Sequence, residues 1–258
     1  MTPTVWTYLI VCPLVFLAGF VDAVAGGGGV ISLPAYLLAG VPVKLAIGTN
    51  KLANGCGTAT SVFKYAKSGK IAWLCAIPAG IGCLLGATGG SSLALALPDN
   101  VLTIVILAAL PLAALILFFV RHKTDEDEKQ LSRGKTVLYS ALIGLVLGGY
   151  DGLIGPGTGT FLTIAFSVVL GFRLLKSSGC ARTANLASNV ASLVVYLING
   201  NILFSVGIPA IACSMLGNYL GARCAIRGGS KRIRLVMFVV LGLLFVKTIL
   251  SLFGVLDY

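Results

Sequence analysis

The composition of this 258-residue chain is typical of a membrane protein: 57% of its residues are hydrophobic, 10% are charged, and the mean hydropathy is +1.00. Soluble domains carry about 25% charged residues, so these values exclude a soluble globular protein. A net charge of +11 would suggest nucleic acid binding in a soluble protein, but here the basic residues concentrate in loops, where they set topology. We therefore expect an all-α, polytopic integral membrane protein, in contact with membrane lipid, that binds no nucleic acid.

The first apolar segment contains residues that a simple membrane-spanning helix does not need. The stretch DAVAGGGGVISLP, residues 22–34, places a carboxylate before four consecutive glycines. Because the first 43 residues contain no Lys or Arg, the segment lacks the basic start of a signal peptide, and we expect it to be retained. The piece after the glycines, residues 30–39, would rise only about 15 Å as a helix, too little to cross the roughly 30 Å hydrocarbon core. The broken pair is predicted to be a re-entrant hairpin or two tilted crossings.

Three full spans are predicted to follow the broken pair in each half of the chain. The halves are separated by a polar linker, RHKTDEDEKQLSRGK, at residues 121–135. A second broken segment, DGLIGPGTGTFL at residues 151–162, opens the second half and continues into a short piece at 160–171. The predicted spans are residues 45–64, 71–97 and 101–120, then 176–197, 203–222 and 234–255. The predicted domains are a first membrane repeat (1–120), the cytoplasmic linker (121–135) and a second membrane repeat (136–258).

The two halves match residue by residue, which indicates an internal duplication. The matches at a constant offset of 131 include Gly48 with Gly179, Asn54 with Asn185, Tyr65 with Tyr196 and Pro78 with Pro209. With the offset eased to 129, Asp22 falls on Asp151 and Gly28 on Gly157. One ungapped register through so many Gly, Pro and Asn positions is hard to obtain by chance.

The loop charges predict that the repeats have inverted topology. Lys and Arg prefer the cytoplasmic side of short loops. The loop at 64–70 has three lysines and its equivalent at 195–201 has none, whereas 223–234 has five basic residues and its equivalent at 92–103 has only Asp99. Equivalent loops therefore lie on opposite sides. The charges agree best with the loops at 64–70, 121–135 and 223–234 inside and both chain ends outside, on the periplasmic side.

Inverted repeats with helices broken near the midplane are the construction of secondary transporters, so both repeats are predicted to form one transport domain. The N–H groups at the start of a short helix form a ready anion site, and glycines let an anion approach the backbone. Alternatively, the glycines only allow close helix packing. The candidate anion-binding residues in the two breaks are Gly26, Gly27, Gly28, Gly29, Gly155, Gly157 and Gly159, with Thr158 and Thr160 as hydroxyl donors.

Five charged residues are predicted to lie within the membrane: Asp22, Asp151, Lys51, Arg182 and Lys247, of which Lys247, near the last helix end, is expected to snorkel to the surface. An ionisable group at that depth costs about 2.5–3.5 kcal/mol on insertion scales, so it is retained for a reason. One interpretation is two structural ion pairs. The other is that Lys51 and Arg182 neutralise an anionic substrate, beside the polar residues Thr49, Asn50, Asn54 and Asn185. Burial favours the neutral form of a carboxyl, which makes Asp22 and Asp151 candidate proton carriers, unless each caps its own glycine turn.

No metal or cofactor is expected. The seven cysteines show neither a CxxC motif nor metal-ligand spacing, and the lone His122 lies in the charged linker.

At these motifs the sequence resembles the sulfite exporter TauE/SafE family. The family's hallmark is a repeated Gly-rich segment of the type GGGGVISLPAYLLAGVPVKLAIGTNKLAN near the N-terminus, with a weaker copy in the second half. The resemblance implies a bacterial inner-membrane transporter of small sulfur-containing anions such as sulfite, sulfonates or sulfoacetate. The second copy departs from the first by Pro156 within its glycines and by Cys180-Ala181 in place of Thr49-Asn50, which leaves room for unequal contributions to the site.

The predicted function is secondary transport of a small oxyanion by alternating access, coupled to a proton or ion gradient such as H⁺ or Na⁺. An anion channel could use the same cations and helix dipoles, but it would need a continuous pore. An intramembrane enzyme with Asp22 and Asp151 as a catalytic dyad is a third alternative. No nucleophile–base motif supports an enzyme, and the duplication alone explains the symmetric carboxylates.

Overall fold

The computed structural model describes residues 3–106 and 131–252, and it describes residues 229–252 by their backbone alone. Most of the predicted linker, the later part of the predicted span 101–120 and both chain ends lie outside the described residues. The helices are α1 (Val5–Ala25), α2 (Gly29–Leu38), α3 (Val43–Lys67), α4 (Trp73–Ala96), α5 (99–106 as far as described), α6 (Arg133–Leu153), α7 (Thr158–Val169), α8 (Leu174–Ile198) and α9 (Phe204–Leu252).

The prediction of an all-α, polytopic membrane protein is confirmed. No strand occurs among the described residues. Four of the described helices are long and apolar enough to cross a membrane: Val5–Ala25, Trp73–Ala96, Arg133–Leu153 and, within α9, Phe204–Gly228. The outer faces of these helices are apolar, with Leu9, Ile81, Val146 and Leu216 between 58% and 69% exposed. Apolar side chains on the outside of a bundle suit a lipid environment.

The predicted break between two spans at 223–234 is wrong. The structure has one helix, α9, from Phe204 to Leu252, and the glycine pair at 228–229 does not interrupt it. The stretch contains no proline, and Arg, Lys and Ala are strong helix formers. Two glycines in a helix interior cost about 1 kcal/mol each relative to Ala, too little to end a helix by themselves. The predicted spans 203–222 and 234–255 therefore belong to one helix as far as residue 252.

Each glycine break reverses the chain. Gly26 has φ +90° and accepts the left-handed conformation that ends α1. The next turn packs Gly28 so closely on α1 that a Cβ there would lie 2.4 Å from the carbonyl oxygen of Ala18. In the second half, Gly155 and Gly157 have φ +89° and +83°. The helices that follow, α2 and α7, have 10 and 12 residues, so each break forms a helical hairpin with one short arm.

The most polar helices, α3 and α8, cross at the centre and run antiparallel. Gly48 near the start of α3 contacts Tyr196 near the end of α8, and at the other end the Tyr65 hydroxyl lies 3.2 Å from that of Ser178. The same offset of 131 relates α3 to α8, so equivalent helices point in opposite directions. This is the relation that inverted repeats require.

Helices of different halves pack through glycines. Along α4, Gly82, Gly86 and Gly90 meet the backbone of α6 in rising order, and along α9, Gly217 and Gly221 meet α1 in the same way. A Cβ at any of the five would lie 2.1 to 2.3 Å from a backbone oxygen. Close backbone approach at small residues is a common means of helix association in membranes. These contacts hold the long arm of each hairpin against α4 or α9, which in turn pack on the central helices α8 and α3.

Candidate functional site

The tips of the two glycine hairpins touch each other at the centre of the molecule. The Thr160 amide donates to the Gly26 carbonyl at 3.2 Å, and the Thr160 hydroxyl donates to the Ala25 carbonyl at 2.9 Å. A Cβ on Gly26 would lie 2.2 Å from the carbonyl carbon of Gly159. Position 26 therefore requires glycine for two reasons: there is no room for a side chain, and the backbone has a positive φ.

Several backbone amides at this junction have no acceptor among the described residues. They include those of Gly29, at the start of α2, and Gly159, in the first turn of α7. Helix N-termini carry a partial positive charge, and their amides point outward along the axis. The two short helices therefore direct unpaired donors toward a shared space.

The first buried cation, Lys51, is paired with a carboxylate from the other half. Lys51 Nζ lies 2.6 Å from Asp151 Oδ2 and donates to the Asp151 main-chain oxygen at 2.7 Å. The Ser188 hydroxyl donates to the same Oδ2 at 2.6 Å. Both charged side chains are at most 4% exposed. A buried charge is tolerated when it is paired and hydrogen-bonded, and this pair meets both conditions.

The second buried cation is only partly engaged. Arg182, which is fully buried, places Nη1 3.0 Å from Asp22 Oδ2 and donates to the Asp22 main-chain oxygen. Its Nε and Nη2 have no hydrogen-bond partner among the described residues. Nη2 lies beside the glycine tips, because a Cβ on Gly26 or Gly159 would come within 2.5 or 2.3 Å of it. Arg182 thus keeps unused donors where the tips meet.

The ion pairs cross between the two halves. The cation of each half pairs with the carboxylate of the other half. The pairs fit the interpretation of structural ion pairs, and the unused donors of Arg182 fit the interpretation of anion binding. The Asp22 carboxylate lies against Arg182, and the glycine turn is closed by the Asp22 main-chain oxygen, which accepts from the Gly26 amide at 2.8 Å. Neither carboxylate accepts a hydrogen bond from its own glycine turn among the described residues.

A small polar cavity lies between the hairpin tips and the central helices. Its volume, about 20 Å³, is enough for about one water molecule. Two hydrogen bonds hold asparagine side chains in place around it: Asn54 donates to Asn50 Oδ1 at 3.1 Å, and Asn189 donates to the Asn185 carbonyl at 2.8 Å. The lining residues are Asp22, Gly26, Gly29, Asn50, Lys51, Asn54, Asp151, Gly155, Gly159, Asn185 and Asn189.

Seven residues of the predicted site do not line this cavity: Gly27, Gly28, Thr49, Gly157, Thr158, Thr160 and Arg182. The three threonines are engaged in the fold, Thr160 through its bonds to the other hairpin tip. Thr49 Oγ1 accepts from the Leu203 amide at 2.9 Å, and Thr158 Oγ1 donates to the Gly155 carbonyl at 2.8 Å. Arg182 lies behind the glycine contact, with its free Nη2 against Gly26 and Gly159.

Two residues at the site were not predicted from the sequence, namely Ser188 and Asn189. They follow Asn185 by three and four positions on α8, the spacing that places side chains on one helix face. That spacing was the available signal. Their equivalents in the first half at an offset of 131 are Gly57 and Thr58, so the duplication gave no hint.

No group of three or more His, Cys, Asp or Glu side chains within residues 3–106 and 131–228 could hold a metal ion. What the site offers chemically is a set of hydrogen-bond donors and two cations, each balanced by a carboxylate. Such a set recognises an anion through the donors that remain free.

Comparison with known proteins supplies a family for this geometry. A model of the sulfite exporter TauE/SafE family matches residues 11–248. A probable membrane transporter protein of Haemophilus influenzae is 39% identical over 85% of both chains, and one from a Sinorhizobium species, named ORF9, is 35% identical over 87% of this chain and 85% of its own. The probable membrane transporter protein YfcA of Escherichia coli K12 is 30% identical over 92% of this chain and 88% of its own. No solved structure matches the chain significantly.

Proposed function

The chain belongs to the sulfite exporter TauE/SafE family and is a multi-pass membrane transporter, and we propose that it moves a small sulfur-containing oxyanion such as sulfite or a sulfonate. The observation that carries the proposal is the meeting of two glycine tips beside a buried arginine with unused donors. Arg182 Nη2 and the amides of Gly29 and Gly159 form a set that suits oxyanion oxygens. The polar side chains of Asn50, Asn54 and Asn185 complete the site.

The size of the cavity supports alternating access rather than an open pore. A space for about one water molecule is too small for an oxyanion with four or more non-hydrogen atoms. The substrate enters only when the tips separate, which breaks the hydrogen bonds from Thr160 to Gly26 and Ala25. The hairpins then open to one side of the membrane at a time, as in other transporters built from inverted repeats.

Asp22 and a bound oxyanion compete for Arg182, and this competition gives a means of coupling transport to protons. In the closed site Asp22 holds Nη1 of this arginine. Protonation of Asp22 removes the negative charge that pairs with the guanidinium, so Arg182 becomes the partner of a bound oxyanion instead. One proton and one anion then move together. Asp151 is the second candidate proton carrier, and its carboxylate accepts hydrogen bonds from both Lys51 and Ser188.

The proposed setting is the bacterial inner membrane, with the N-terminus outside and the linker at 121–135 inside. The predicted outside position of the C-terminus required a second crossing after residues 223–234, and the continuous α9 removes its basis. The two membrane repeats (1–120 and 136–258) act as one transport domain around the shared site.

The test is uptake of labelled sulfite, sulfate and a small sulfonate into proteoliposomes, with and without a pH gradient. We expect saturable, gradient-dependent flux of a sulfur anion. A pore would instead give conductance that does not saturate. The decisive variant is the double substitution Arg182→Gln with Asp22→Asn, which removes both charges and so avoids leaving one of them buried and unpaired. We expect it to fold and to lose at least about 100-fold in uptake, since one charge-assisted contact is worth about 1.5–3 kcal/mol and several are lost.

Two comparisons control this experiment. Lys51→Gln with Asp151→Asn removes the other buried ion pair, and we expect measurable transport with a raised KM. Arg173→Gln removes an exposed arginine at the start of the same helix as Arg182 and should leave uptake unchanged. Normal uptake by the Arg182 and Asp22 double variant would contradict the proposal.

A further inference from the structure

A second, larger recess lies on the outer surface of the helix bundle, between the end of α3 and the middle of α9. Its volume is about 430 Å³, compared with about 20 Å³ for the central cavity, and the two share no residue. It is lined by Thr60, Phe63, Lys64, Lys67, Ser68 and Tyr219. We refer to these six residues as the α3–α9 cleft. The proposed transport at the glycine tips does not involve the residues of this cleft.

The α3–α9 cleft carries positive charge that no described carboxylate balances. Among the described residues, neither Lys64 nor Lys67 forms an ion pair with Asp or Glu. Lys64 Nζ lies 3.5 Å from the centre of the Tyr219 ring, a cation–π contact that holds the ammonium group over the cleft. Arg223, one turn beyond Tyr219 on α9, is exposed and adds to the same field. A ligand with negative charge is therefore favoured.

The cleft is also apolar on one side. Phe63 is 67% exposed, and Leu216, three residues before Tyr219 on α9, is 59% exposed. The lysines lie in the last turn of α3, directly before a polar turn at 68–70. Lys and Tyr beside exposed apolar side chains at the end of a membrane helix are typical of the boundary between hydrocarbon and headgroups. A ligand that fits has an anionic end and an apolar end.

We propose that the α3–α9 cleft binds an anionic phospholipid. The phosphodiester and the anionic headgroup lie against Lys64 and Lys67, and the first part of an acyl chain lies along Phe63 and Leu216. The lysine-rich turn at 64–70 is on the predicted cytoplasmic side, where surface charge from anionic lipids attracts basic segments. A free inorganic anion would use the lysines alone and leave the apolar half of the cleft without a contact.

The test places a fluorescent reporter in the cleft of the full chain. Phe63→Trp is introduced where Trp6→Phe and Trp73→Phe have removed the two native tryptophans. The protein is reconstituted in phosphatidylcholine containing either brominated phosphatidylglycerol or brominated phosphatidylcholine, and quenching gives the relative binding constant of each lipid. Each basic residue near a membrane surface strengthens binding of anionic lipid by about five-fold. We therefore expect a clear preference for phosphatidylglycerol, of about five-fold or more.

Two lysine variants decide the matter. Lys64→Gln with Lys67→Gln should bring the two lipids to nearly equal quenching. Lys70→Gln removes the same kind of charge from the same turn but outside the cleft, and it should keep most of the preference. Equal quenching by both lipids in the reporter protein would overturn the proposal. So would loss of the preference on adding excess inorganic phosphate at constant ionic strength, because the site would then recognise a free anion.

Discussion

Arg182 is the central residue of the proposed anion site, and two glycines of the hairpin tips face it. Gly26 and Gly159 leave no room for a Cβ between the hairpin tips and the guanidinium. Gly159 is the better position to test, because it lies in the first turn of α7 and has an ordinary helical backbone, whereas Gly26 has a positive φ. A change at Gly159 therefore acts through space alone.

We expect Gly159→Ala to abolish or strongly reduce transport. Its Cβ would lie 2.3 Å from Arg182 Nη2 and 2.8 Å from the Gly26 carbonyl oxygen, so the guanidinium must leave the tips or the tips must separate. A misplacement of about 1 Å at a functional site can cost about 100-fold. The measurement is the initial rate of uptake into proteoliposomes as a function of substrate concentration.

Gly89→Ala is the matched control for that variant. Gly89 lies on the exposed face of α4, and a Cβ there would meet nothing within 4 Å. Because Ala is about 1 kcal/mol more favourable than Gly in a helix, this change should leave transport intact and raise thermal stability slightly. Wild-type rates for Gly159→Ala would mean that the position of Arg182 is unimportant for transport.

At the scale of helices, α4 and α6 pack so closely that one added carbon atom is excluded at some glycines and tolerated at others. Gly148 and Gly149 are neighbours on α6, but they face differently. A Cβ at 148 would lie 2.5 Å from the Cα of Cys83 on α4, whereas one at 149 would lie 3.8 Å from the nearest atom, an ordinary contact. Backbone atoms cannot move aside as a flexible side chain can, so the two glycines differ in what they tolerate.

We expect Gly148→Ala to lower the midpoint of thermal unfolding in detergent and Gly149→Ala to leave it the same or raise it. Overpacking a close interface costs about 1–3 kcal/mol, which exceeds the gain of about 1 kcal/mol in helix propensity. Both variants add one methyl group to the same helix, so composition and hydropathy do not differ between them. Equal midpoints for the two would show that α4 and α6 do not pack as closely as the structure has them.

The sequence was sufficient to predict the helices that surround the site, and the duplication explains why. A common offset of 131 indicated both central helices, and the glycine runs indicated both helix breaks, although they left a re-entrant hairpin and two tilted crossings as alternatives. The pairing of the charges could not be predicted in the same way, because Lys51 has two carboxylates to choose from and the choice depends on how the halves pack. Ser188 and Asn189 were not predicted, because their equivalents in the first half are a glycine and a threonine, respectively. The continuous α9 was missed because basic residues indicate a loop but do not end a helix.

At the scale of the whole molecule, the proposed shared site requires the two halves to run in opposite directions, and this relation has a direct test. Since α3 and α8 run antiparallel, the turns that follow them must lie at opposite ends of the bundle. Ser68 and Asn199 are equivalent residues in these turns.

With the seven native cysteines replaced, we expect Asn199→Cys to react with a membrane-impermeant maleimide in intact cells whose outer membrane is permeable, and Ser68→Cys to react only after the inner membrane is opened. The lysines of the turn at 64–70 predict that its side is the cytoplasmic one. Labelling of both residues from the same side would exclude inverted repeats, and with them a midplane site shared by two opposed hairpins. Labelling in the reverse order would keep the architecture and invert the molecule in the membrane.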